Sequence, residues 1–132
     1  MKVDRHFTKE QTGAYGGIDF NVTSSEIRNP DGSIVFSAPN VEVPETWSQV
    51  AADVLAQKYF RKAGVPVNLK LVPETNVPKF LWRSIEDEEK SKNLTKNARY
   101  KGESSSKQVF NRIVGAWTYW GWKGGYFTKE KD

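Results

Sequence analysis

The chain has 132 residues, a net charge of +4, 37% hydrophobic residues and 13% aromatic residues with five Trp, which points to one small domain with few but large core side chains. It has no Cys and one His, His6, which excludes disulfides, iron–sulfur clusters and thiol or thiyl chemistry within the chain and leaves no ligand set for zinc. Charge is uneven, −1 over residues 1–66 and +5 over residues 67–132, so the second half could meet nucleic acid, nucleotide phosphates or an acidic partner, or simply water.

Residues 1–17 are polar, end in Gly16-Gly17 and read as an arm without its own core. Ile18, Phe20 and Val22 then alternate with polar residues, as do Ile34, Phe36 and Ala38 beyond Asn29-Pro30-Asp31-Gly32. Pro30 suits a type I turn and Gly32 a left-handed residue after it, so residues 18–38 are expected to form a β-hairpin. Residues 45–63 read as a helix. Thr46 and Gln49 have capping-box spacing, Trp47, Val50, Ala51, Val54 and Leu55 share a face, and Gly64 and Pro66 stop it.

Val67, Leu69 and Leu71 suggest a short strand, and Pro73 and Pro78 bracket a loop. Residues 84–103, with Glu86-Asp87-Glu88-Glu89 and many Lys, read as a solvated helix or a linker, and 67–103 as a whole as a loop or linker region. A second helix is expected over 105–120. Ser105 and Gln108 cap it, and Phe110, Ile113, Val114, Trp117 and Trp120 form its apolar face toward the first helix. Gly121 is expected to end it. The expected fold is α+β, a hairpin followed by a small helical domain with two main amphipathic helices. Residues 18–127 form the domain and 128–132 begin a connection onward.

Few constellations carry chemistry. Trp117-Thr118-Tyr119-Trp120-Gly121-Trp122 could stack bases, or could be packing. Lys123 among Gly121, Gly124 and Gly125 lacks the P-loop pattern and reads as a plain turn. The acids at 86–89 are consecutive, so on a helix they splay around the axis instead of converging on a cation. His6 has no Ser or acid at a motif spacing. No catalytic, cofactor-binding or metal-binding residue is assigned. No apolar run is long enough for a membrane helix and no signal-peptide pattern opens the chain, so a cytoplasmic protein is expected.

Several blocks resemble one family in its own order: Ser25 to Ser33, Val43 to Ala51, Gln57 to Pro66, and Ser105 to Phe127 with its Trp117–Phe127 core. They are similar to the N-terminal region of adenosylcobalamin-dependent (class II) ribonucleotide reductases. The resemblance implies a segment preceding a large α/β barrel that holds the radical-bearing Cys, the redox Cys pair and the cobalamin contacts. It also implies that Lys131-Asp132 falls where the family sequence runs on, as in a truncated or split piece. Adenosylcobalamin and ribonucleotides would then belong to the parent enzyme only. The catalytic barrel would be this chain's partner, with Trp122, Tyr126 and Phe127 as the docking face. Two other functions stay open: a regulatory nucleotide-binding module like the ATP-cone, loosely echoed by Arg28 to Phe36, and a basic nucleic-acid binder.

Overall fold

The computed structural model describes residues 1–132. In chain order the elements are β1 (Phe20–Arg28), β2 (Ile34–Pro44), α1 (Gln49–Lys58), β3 (Val65–Pro66), β4 (Leu69–Leu71), β5 (Ser84–Glu86), α2 (Glu88–Ser91), β6 (Tyr100–Lys101) and α3 (Ser106–Lys123). The α+β expectation holds. The chain divides into two compact units: residues 2–60 with 104–111, and Met1 with 61–103 and 112–132.

In the first unit β1 and β2 pair antiparallel from Phe20↔Pro44 to Arg28↔Ile34. Their turn follows the local chemistry. Gly32 N–H donates to the Asn29 carbonyl at 2.9 Å, and Asp31 Oδ1 accepts from the Ser33 N–H at 2.8 Å. Gly32 sits at φ +86°, where an L side chain is strained. Gly32→Val should therefore cost about 1–2 kcal/mol, read as a lower melting temperature. An unchanged melting temperature would contradict this.

The hairpin is longer than expected, reaching Pro44 instead of Ala38. The register shifts between Thr23↔Val41 and Ser25↔Ala38, so Pro39 and Asn40 stand opposite Ser24 alone. That bulge absorbs Pro39, which has no N–H to give a ladder, and lets pairing resume.

The first helix is shorter than expected, 49–58 instead of 45–63. The Glu45 N–H is held by the Asp19 carbonyl at 2.9 Å, so the chain at 45 still belongs to the hairpin. The cap is Ser48, whose Oγ accepts from the Ala51 N–H, and not Thr46. Gln49 is drawn away from any capping box, donating to the Ser24 carbonyl at 2.9 Å and Asp53 Oδ1 at 2.8 Å. The buried helix residues are Ala52, Leu55 and Ala56, while Val50 and Val54 are exposed. With Val41, Val43, Phe60 and Val109 they form the apolar core of this unit. Trp47 meets Phe110 edge-to-face at 6.0 Å.

Tyr15 ties down the polar arm. The Tyr15 hydroxyl donates to Asn111 Oδ1 at 2.8 Å, and its ring meets Phe20 edge-to-face. The start of α3 uses the expected cap: Gln108 Oε1 accepts from the Ser104 and Ser105 N–H groups at 2.8 and 3.0 Å, and Ser105 Oγ accepts from the Lys107 N–H.

In the second unit the expected linker is folded. β3 pairs with β6 (Val65↔Lys101, Pro66↔Tyr100) and β4 with β5 (Leu69↔Glu86 to Leu71↔Ser84). Asp87 caps the one-turn α2 by accepting from the Lys90 N–H. Val77 is the buried apolar residue of this unit, and Asp87 and Ser91 are buried polar ones. Charged pairs therefore carry much of its order.

Candidate functional site

The second unit contains residues 112–123 of α3, and three polar anchors set the face that this stretch turns inward. Arg112 grips Glu103 through Nε and Nη2 at 3.1 and 3.0 Å. The Tyr119 hydroxyl lies 3.0 Å from both Glu74 carboxyl oxygens, and Lys123 Nζ reaches the same carboxylate at 2.8 Å. Trp122 Nε1 donates to the Asn76 carbonyl at 2.7 Å, and Asn76 takes a left-handed φ of +61°. Positions 112, 119 and 123 lie on one side of a helix by their spacing.

That orientation reverses the expectation for the apolar stripe. Trp117 and Trp120 are 63% and 65% exposed, and Val114 is exposed beside them. They are not packing residues. Paired ionic groups decided the rotation of this stretch, and apolar periodicity did not signal it. Gly121 also fails to end the helix, which runs to Lys123. A Cβ at Gly121 would lie 2.5 Å from the Phe127 ring, so Gly121 is the slot into which Phe127 folds back.

The three residues expected to form a docking face therefore differ in placement. Trp122 and Phe127 are half-buried and fix the helix end, and Tyr126 is 63% exposed. The turn around Lys123 is a helix stop. Gly124 N–H donates to the Trp120 carbonyl, Tyr126 N–H to the Gly121 carbonyl, and Gly125 takes φ +75°. With its ammonium on Glu74 and these N–H groups engaged, the turn has nothing set aside for a phosphate. The outward Trp117 and Trp120, missed as surface residues, had no local signal, because the partners that orient the helix lie 9 and 45 residues upstream.

Three carboxylates of this unit, Glu74, Glu86 and Glu103, are shifted in the same direction. The Lys123 ammonium and Tyr119 hydroxyl hold Glu74 below the ordinary carboxylate range, and the Tyr100 hydroxyl and Arg99 guanidinium do so for Glu86. Burial opposes ionisation of Glu103, but Arg112 and the Arg61 N–H outweigh it and the net direction is down. Folding thus keeps these acids ionised. Each contributes stability that is complete above its unfolded pKa, about 4.3 for Glu, and is lost as pH falls through the lower folded value. The melting temperature should hold from pH 7 to about 5 and decline below about 4.5. A flat profile down to pH 3 would contradict this.

No set of three or more His, Cys, Asp or Glu side chains is placed to hold a metal ion, and His6 is exposed beside the Phe7 ring. No helix is long and apolar enough to cross a membrane.

Comparison with known proteins supplies what the geometry does not. The family described as class II vitamin B12-dependent ribonucleotide reductase matches residues 21–132. The whole chain is 61% identical to a vitamin B12-dependent ribonucleotide reductase of Bradyrhizobium diazoefficiens and 54% identical to one of Agrobacterium fabrum. It spans about 10% of the length of each. Identity at this level across every residue, together with the family match, shows that the chain belongs to the class II vitamin B12-dependent ribonucleotide reductase family, as its N-terminal region.

Proposed function

We propose that the chain is a bracing and docking segment of a cytoplasmic reductase that converts ribonucleotides to deoxyribonucleotides for DNA synthesis. In this proposal the catalytic barrel and adenosylcobalamin belong to the parent enzyme and lie outside these residues. The observation that carries it is the exposed aromatic ridge. Val114, Trp117 and Trp120 rise at intervals of three along one side of α3, and Tyr126 follows beyond the helix stop. Large rings held outward on a rigid helix mark an interaction surface. The occupant is the remaining nine-tenths of a protein like its relatives, with Trp122 and Phe127 fixing the helix end and adding their exposed edges to the face.

The residues do not fit the cofactor itself. Adenosylcobalamin brings its cobalt already held in a corrin ring, and the one imidazole that could ligate it, His6, stands exposed beside the Phe7 ring. The ATP-cone reading finds no support at Arg28–Phe36, where the side chains serve the hairpin turn: Arg28 pairs with Glu26 and donates to the Gly32 carbonyl.

The test uses the full-length reductase. Trp117→Ser with Trp120→Ser should lower ribonucleotide turnover about tenfold or more, as for other buried interface Trp residues, and leave the melting of the isolated chain nearly unchanged. The isolated chain, given adenosylcobalamin and a dithiol, should show no turnover. Full activity in the double variant, or turnover by the isolated chain, would contradict the proposal.

A further inference from the structure

The second unit is the basic one, with 14 Lys and Arg against 8 Asp and Glu, and it contains an open strand edge. Residues 65–72 run extended between two neighbours. On one side the Val67 N–H donates to the Arg99 carbonyl at 2.9 Å, in line with the pairing of β3 and β6. On the other side the Asp87 N–H donates to the Asn68 carbonyl and the Val72 N–H to the Arg83 carbonyl, both at 2.9 Å, framing the pairing of β4 and β5.

Backbone groups along a paired strand point alternately to its two sides. Residues 68, 70 and 72 therefore turn their N–H and C=O groups toward β5, and residues 67, 69 and 71 turn theirs the other way. On that side the ladder stops at Val67. The backbone groups of Leu69 and Leu71 thus face outward with no partner in this chain, and all three residues of β4 are exposed. Lys70 adds to the field that keeps Asp87 ionised, but Lys90 makes the ion pair there.

The edge selects its occupant by charge. A second copy uses both leucines only by setting Leu69 opposite Leu71 and Lys70 opposite Lys70, which places like charges directly across a ladder. A segment with apolar residues opposite the leucines and an acid opposite Lys70 gains a cross-strand ion pair instead. Strand addition takes its affinity from main-chain bonds and its selectivity from such side-chain pairs. The basic character of the whole unit favours the same acidic partner.

We infer that β4 accepts an added strand from the rest of the parent polypeptide, an extended apolar–acidic–apolar segment paired through Leu69 and Leu71. The chain spans about 10% of the length of its relatives, so the source is large. The inference rests on the docking reading for its partner, but it uses a surface other than the Trp ridge.

Hydrogen–deuterium exchange resolved to single amides tests this in the isolated chain and in the full-length reductase. In the isolated chain the Leu69 and Leu71 amides should exchange fast and the Lys70 amide, bonded toward β5, more slowly. In the full-length protein both leucine amides should slow about tenfold or more. Lys70→Glu should return them to fast exchange there while the amide at position 70 stays slow, and Lys70→Arg should keep them protected. Fast exchange at both leucines in the full-length protein, or undiminished protection in Lys70→Glu, would overturn the inference. Protection that rises with the concentration of the isolated chain would mark a second copy and overturn it too. Oxidation of Trp117 and Trp120 in the same samples separates the two readings: protected indoles with fast Leu69 and Leu71 amides overturn the added strand and leave the docking reading standing.

Discussion

Glu103→Ala is expected to cost about 3–5 kcal/mol, the range for removing one partner of a buried ion pair. The Glu103 side chain is 4% exposed. It accepts two bonds from Arg112 and one from the Arg61 N–H at 2.8 Å. Truncation removes the counter-charge from Arg112 and the acceptor from a backbone donor at the same time. The second unit has few buried apolar groups to compensate, so the loss is large against a total stability of about 5–15 kcal/mol for a typical domain. Glu103→Gln keeps the shape and an acceptor oxygen and should cost less. Urea unfolding checks both, and an unchanged midpoint in Glu103→Ala would contradict the claim that ion pairs hold this unit.

Phe60→Ala should match it in the first unit by another mechanism. Phe60 is 6% exposed just past the end of α1, where its N–H donates to the Leu55 carbonyl. Deleting a buried ring leaves a cavity and costs about 3–5 kcal/mol. The same change at Phe7, 93% exposed, should stay within about 0.5 kcal/mol. Thermal melting followed by circular dichroism separates the two, and equal shifts would contradict the assignment of the core.

What the sequence made legible was local. Asn29-Pro30-Asp31-Gly32 contains its own turn chemistry, and Ser105 with Gln108 contains its own cap, so the hairpin turn and the start of α3 were both expected and both found. What escaped depends on partners far along the chain. Residues 84–103 have no apolar rhythm, yet they fold because Tyr100 meets Pro66 across a ladder, Glu86 holds Arg99, and Glu103 holds Arg112. Gly121 looked like a stop because glycine weakens a helix, but that penalty is only about 1 kcal/mol. Phe127 packed over the glycine and the Trp122 bond to Asn76 are enough to offset it. The surface aromatics were legible as unusual residues, but their direction was not. An apolar stripe identifies a face without saying which way it points when ionic anchors compete for the inner side.

The most direct test of the docking account is hydroxyl-radical footprinting of Trp117 and Trp120, read by mass spectrometry in the isolated chain and in the full-length reductase. Both indoles should oxidise readily in the isolated chain, where they are 63% and 65% exposed. In the full-length protein both should be strongly protected, with Phe7 in the polar arm serving as the exposed reference. Equal oxidation of Trp117 and Trp120 in the two forms would contradict the account.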